Sequence, residues 1–136
     1  MIKIMIGKND SELVGKVFLL DNQGRVLLLK RPENIPYGGL WDLPGGHIHN
    51  DEPVKKGTAR EVKEETNLSI VSKDLLPVSR VGNIYFFWTK KWLGEFQISW
   101  EHEQFEWVNV NDITSYDAGK KFNEVFKVFQ NIKGVM

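Results

Sequence analysis

Residues 46–68 read GHIHNDEPVKKGTAREVKEETNL, and the fold is decided by how this stretch is understood. Glu61, Glu64 and Glu65 fall within one turn of a helix, where like charges three and four residues apart are destabilising. At 3.6 residues per turn the three carboxylates span an arc of about 100°, so they converge on one patch. A chain that keeps such an arrangement is best explained by a cation bound there. The sequence has no cysteine, and clustered hard oxygen ligands suit Mg²⁺ or Mn²⁺, the ions that accompany phosphate chemistry. The competing reading is a solvated acidic face on a helix that also carries Lys55, Lys56 and Lys63. Gly57 stands one turn before Glu61 and costs about 1 kcal/mol against alanine in a helix interior. Its presence on the carboxylate stripe points to a close approach from another segment. Val54, Ala59 and Val62 lie elsewhere around the helix and can face a core.

Working outward, Pro53 suits the first helical position, and Asp51 and Glu52 favour the positive end of the helix dipole. The helix should run to about Thr66 and stop at Asn67, a residue that tolerates the left-handed conformation. Before it, Leu13–Leu20 and Arg25–Lys30 are β-rich runs joined by Asp21-Asn22-Gln23-Gly24, which reads as a hairpin turn. Met1–Ile6 adds a short edge strand. The proline- and glycine-bearing segment from Arg31 to Gly39 is a loop, and Trp41–Leu43 is a brief strand running into Pro44-Gly45-Gly46. After the helix come four strand-like runs, Ile70–Ser79, Val81–Lys90, Glu95–Trp100 and Gln104–Val110. Phe122, Val125, Phe126 and Phe129 recur at helical spacing and predict an amphipathic closing helix. Strands, helix, strands, helix is the pattern of a mixed sheet covered on its faces by helices. A chain of 136 residues without repeat or linker is expected to form one domain spanning 1–136.

Composition narrows the function. Eighteen basic residues balance eighteen acidic ones, so no global field recruits nucleic acid or an anionic membrane. Without cysteine, disulfides, thiolate metal sites and cysteine nucleophiles are excluded. No run approaches the roughly 18 apolar residues of a membrane span, and the first residues do not read as a signal peptide. The expectation is a cytoplasmic protein.

With Gly46, Glu52, Arg60, Glu61, Val62, Glu64, Glu65 and Leu68 in order and correctly spaced, the segment resembles the Nudix box, Gly-x5-Glu-x7-Arg-Glu-apolar-x-Glu-Glu-x-Gly-apolar. The departure is Asn67 where the family has glycine, and asparagine is the next-best residue for a positive φ. The resemblance implies a MutT-like α/β fold, an α/β/α sandwich with a mixed β-sheet and a catalytic loop–helix–loop. It also implies that Glu61, Glu64, Glu65 and the Gly46 carbonyl bind Mg²⁺ or Mn²⁺, while Glu52 and Arg60 hold the loop against the helix. Family members draw a further carboxylate from a later segment, and Glu101 resembles it best, with Glu103 next. The implied reaction is hydrolysis of a phosphoanhydride in a nucleoside diphosphate linked to another moiety, with Glu64 or Glu101 taking the proton of the attacking water. The substrate would be a nucleoside triphosphate, an oxidised one included, or a dinucleoside polyphosphate. A homodimer is the family habit.

Around this centre, Lys30 and Arg31 end a strand before a loop, where the resemblance suggests contact with substrate phosphate. Sixteen aromatic residues in 136 are many; most are expected in the core, and Tyr37, Tyr85 and Phe105 are the candidates for stacking on a nucleobase. Some members that cleave ADP-ribose carry proline 15 or 16 residues beyond the box glycine, where this chain has Gly82 and Asn83. Dinucleoside polyphosphate hydrolases often carry tyrosine 17 or 18 residues beyond, matching Tyr85. His47, His49 and His102 read as ordinary loop or surface histidines, with no metal assigned. The rival functions are a nucleotide-sensing domain without catalysis, an RNA 5′-end pyrophosphohydrolase, and an isomerase. Sensors on this fold usually lose box carboxylates, and isomerases of this fold use a cysteine.

Overall fold

Strand β1 (Asp10–Leu19) buries residues of both parities: Val17, Phe18 and Leu19 have no exposed surface. A strand apolar on both faces must lie inside a sheet covered on both sides. The even residues Phe18 and Leu20 enter one core with Val26, Leu28, Phe86 and Trp88, and the odd residues Val17 and Leu19 enter a second with Leu27, Leu29 and Phe87. Helix α1 (Val54–Thr66) contributes Val62 to the second core, and helix α2 (Lys120–Gln130) contributes Val125, Phe126 and Phe129 to the first. The result is the expected α/β/α sandwich. Phe18 stacks on Phe129 with ring centroids 4.0 Å apart and meets Phe126 edge-on at 5.6 Å, a geometry that adds to the burial itself.

The computed structural model describes residues 10–99, 102, 104–132 and 134. The expected strand at Met1–Ile6 and the acids Glu101 and Glu103 lie outside the described residues. The remaining strands are β2 (Arg25–Lys30), β3 (Trp41–Asp42), β4 (Gly45–His49), β5 (Leu76–Val81), β6 (Ile84–Thr89) and β7 (Gln104–Asn109). One sheet has the order β4-β1-β6-β5, mixed through the parallel β1–β6 pair, and the other is the antiparallel set β3-β2-β7.

Four expectations change. The Asp21–Gly24 turn exists, with Asp21 Oδ1 accepting the amides of Gln23 and Arg25, but β1 and β2 are no regular hairpin. They touch at the single bridge Leu20–Val26 and then part into different sheets. Gly45–His49, read as loop, is a strand paired with β1; its glycines and exposed histidines hide the alternation. Conversely, residues 95–99 form no strand and the Ile70–Ser79 run begins with a 3-10 turn at Ser72–Asp74. Phe96 and Ile98 alternate as a strand would, but the backbone is committed elsewhere: the Gln97 amide donates to Thr66 O at the end of α1. Asn67 Nδ2 donates to Glu95 O.

The divergence of β1 and β2 opens a wedge at the end opposite their turn. Between β3 and β4 the chain crosses this wedge in two residues, Leu43 and Pro44. Lys16 of β1 spans it, donating to Asp42 Oδ2 at 3.1 Å and to Leu43 O at 3.2 Å.

Candidate active site

Helix α1 begins after Pro53, which sits at the cap one position earlier than expected, and ends at Asn67 in the left-handed conformation at φ 66°. Its packing on β1 needs Gly15, because a Cβ there would lie 1.8 Å from Thr58 Oγ1. Gly57 likewise admits Ile48 and the Glu52 carboxylate, which a Cβ would meet at 2.8 and 2.6 Å. Glu52 is thereby drawn against the helix, where Arg60 donates to it from Nε and Nη2, the shortest bond being 2.8 Å.

Arg60 is the hub of the site. Nη1 donates to Glu61 Oε2 at 3.0 Å and to Glu64 Oε2 at 2.7 Å, while Nη2 reaches the His47 carbonyl at 3.1 Å. One guanidinium therefore ties the box strand, the loop acid and two helix carboxylates together with charge-assisted bonds. The Arg60 hydrogen bonds, helped by the His49 amide and opposed by burial, hold Glu52 below the usual carboxylate range. In return Glu52 foremost, then Glu64 and Glu61, hold the proton on Arg60 more firmly than in free arginine, against the effect of burial.

The third helix acid behaves differently. Glu65 is 8% exposed, and its Oε1 accepts the Gly45 amide at 3.1 Å while Oε2 faces His102 Nδ1 at 3.7 Å. All three glutamates leave the same side of α1, but their heads divide, Glu61 and Glu64 toward Arg60 and Glu65 toward the wedge. Among the described residues no three acidic or histidine side chains close on one point. The donor chemistry nonetheless suits a hard divalent ion. Glu61 and Glu64 already share a single cationic nitrogen. At Gly46 a Cβ would lie 2.2 Å from Glu61 Oε1, so glycine there leaves room for a carboxylate, the hard donor such an ion takes.

Behind Glu65 lies a buried polar group that the sequence reading missed. It comprises Lys16, Asp42 and His102, with Arg31 Nη1 3.9 Å from Asp42 Oδ2. Burial works to lower the Lys16 pKa, but the charges of Asp42 and Glu65 outweigh it and the net shift is upward. Burial pushes His102 down to about 4, with Asp42 opposing and the Lys16 and Arg31 cations adding. His102 is no surface histidine, whereas His47 and His49 are exposed on β4. A lysine inside an apolar strand, GKVFLL, was the available signal.

The other candidates are dispersed. Arg31 stands at the wedge, its Nε donating to Pro36 O. Lys30 lies over the Trp41 ring at 5.8 Å and pairs loosely with Glu33 at 3.9 Å. Tyr37 sits in the β2–β3 loop, 77% exposed and at φ 61°, an unusual conformation for an aromatic residue. Phe105 is half-exposed on β7 and meets Phe96 edge-on at 4.5 Å. It shares a row with Leu29 and Asp42 across β7, β2 and β3, which directs it to the same face as the wedge acid. Tyr85 is instead engaged on β6, under the Arg80 guanidinium at 4.4 Å and stacked with Phe87.

The sequence pattern of the NUDIX domain matches residues 14–129. The chain belongs to the Nudix family. Among similar proteins, the ADP-ribose pyrophosphatase of Methanocaldococcus jannaschii is 40% identical over 44% of this chain, an alignment spanning 35% of that protein. The CTP pyrophosphohydrolase of Escherichia coli is 23% identical over 72% of this chain and 76% of its own length. The MutT protein of Methanosarcina mazei superposes with a TM-score of 0.72 at 30% identity, covering 86% of this chain and 91% of that one. In this Nudix chain Gly46 lies on strand β4, Glu52 in the turn before α1, and Arg60, Glu61, Glu64 and Glu65 on α1, with Asn67 at its left-handed end. No helix among the described residues is long and apolar enough to cross a membrane.

Proposed function

We propose that this Nudix domain, one folding unit over 1–136, hydrolyses a phosphoanhydride bond of a nucleoside diphosphate linked to another moiety, with a nucleoside triphosphate as the substrate class. The observation that carries the reading is the Arg60 hub, which gathers Glu52, Glu61 and Glu64 beside Gly46. The similarity to a protein named for CTP, along most of both chains, supports a triphosphate. The engagement of Tyr85 with Arg80 weakens the case for a dinucleoside polyphosphate.

Glu61, Glu64, Glu65 and the Gly46 carbonyl would hold Mg²⁺ or Mn²⁺, with Glu101 as a further carboxylate. When bound, such an ion neutralises phosphate charge and acidifies a water. The chain's own residues do the rest. Glu52 anchors Arg60, and Arg60 sets the spacing of Glu61 and Glu64. Glu64, whose side chain is 59% exposed, reaches solvent and takes the proton of a water as its oxygen attacks phosphorus; the phosphorus–oxygen anhydride bond breaks and its electrons leave with the departing phosphate. Arg31 and Lys30 meet the phosphate chain, and Phe105 offers its face to the base.

The test is Glu64→Gln in a nucleotide panel that includes CTP, ADP-ribose and a dinucleoside polyphosphate, with products identified in ¹⁸O water. Loss of a general base lowers turnover about a thousandfold, with the melting temperature unchanged. Near-normal metal-dependent turnover by the variant overturns the assignment. Complete inertness of the wild-type protein toward the panel would favour a nucleotide sensor.

A further inference from the structure

Among the described residues, the buried side-chain polar atoms left without a hydrogen bond are Nδ1 and Nε2 of His102. A buried polar group in that condition calls for a physical reason. The ring is 3% exposed, and Nδ1 stands 3.7 Å from Oε2 of Glu65, itself 9% exposed. The other oxygen of that carboxylate accepts the Gly45 amide at 3.1 Å. Lys16 is bonded to Asp42 Oδ2 and Arg31 Nη1 stands 3.9 Å from the same oxygen, so positive charge is already supplied and a neutral imidazole is the form that fits. Neutral histidine carries one N–H, and a movement of less than about 1 Å brings it within hydrogen-bond distance of Glu65.

We propose that His102 is a positioning residue, whose Nδ1–H closes on Oε2 of Glu65 while the Gly45 amide holds Oε1, fixing the plane of that carboxylate for a divalent cation. The inference rests on the proposed role of Glu65 as a cation ligand. It gives His102 a task that neither the box motif nor the spacing of acids assigns. Groups that orient a ligating carboxylate commonly control metal affinity by 10- to 100-fold.

The experiment is calorimetric titration of the full chain with Mn²⁺ alone, without nucleotide, alongside melting temperatures. Four proteins are compared: wild type, His102→Leu, His102→Asn and His102→Gln. The leucine variant should bind Mn²⁺ about tenfold more weakly. Asparagine, whose amide nitrogen overlies Nδ1, should restore the affinity to within about twofold, and glutamine, whose nitrogen overlies Nε2, should not. Wild-type affinity in the leucine variant overturns the proposal while leaving the proposed reaction standing. If leucine prevents folding, the asparagine and glutamine variants decide, and equal affinities overturn it. A wild-type protein that binds no Mn²⁺ overturns both readings together.

Discussion

Asp21 shows how much one side chain can fix. Its Oδ1 accepts the Gln23 and Arg25 amides at 2.9 Å, and its Oδ2 accepts Arg25 Nε at 2.7 Å. Burial raises its pKa, but these donors together outweigh burial and the net shift is downward. A depressed carboxylate stabilises the fold above its unfolded pKa, and that contribution is lost as the pH falls through the folded value. Asp21→Asn should therefore flatten the loss of stability below about pH 4, and Asp21→Ala should cost about 2 kcal/mol at neutral pH. Urea titrations at pH 7 and at pH 3.5 check both; equal losses at the two values would contradict the ionic account. At this scale the sequence was readable where chemistry is local. Asn67 declared its left-handed φ, while the Glu52–Arg60 partnership came from the resemblance to the Nudix box. His102, Lys16 and Asp42 did not declare theirs, because their meeting depends on segments that lie far apart in the chain.

Elements succeed or fail by what their backbones bond to. Helix α1 was legible within a residue because proline and asparagine mark its ends. Strand β4 was not, since Gly45 and Gly46 have no side chains to alternate. Residues 95–99 misled in the opposite sense, with a strand-like pattern but an amide given to the end of α1. The same dependence on close backbone contact makes the β1–α1 joint fragile. Gly15→Ala places a methyl group 1.8 Å from Thr58 Oγ1 and 2.8 Å from its Cβ, so the helix must lift. The expected loss is about 1–3 kcal/mol. Thr58→Ala, which removes the obstructing hydroxyl and methyl, should recover part of it in the double variant. A strictly additive double variant, measured by chemical denaturation, would place the strain elsewhere.

Across the whole molecule, two sheets that meet at Leu20–Val26 are held at their open end by Lys16 and Asp42. Both side chains are about nine-tenths buried, and removing one member of such a pair strands the other charge. Lys16→Met should cost about 3 kcal/mol, and the double change Lys16→Met with Asp42→Asn should recover a substantial part. Thermal unfolding of the three variants decides; a double variant as unstable as the sum of its parts would remove the coupling.

The passage between the sheets has a final consequence. Leu43 and Pro44 carry the chain across the wedge with no slack, so Asp42 and Gly45 are spaced by two residues of backbone and by nothing adjustable. The β2–β3 loop, by contrast, closes on itself: the Arg31 amide bonds Leu40 O and the Gly39 amide bonds Arg31 O. A loop whose ends are already joined can lengthen or shorten without moving the strand after it. The fold thereby separates two kinds of inheritance, a rigid ruler for the reacting centre and a replaceable rim for whatever molecule is brought to it.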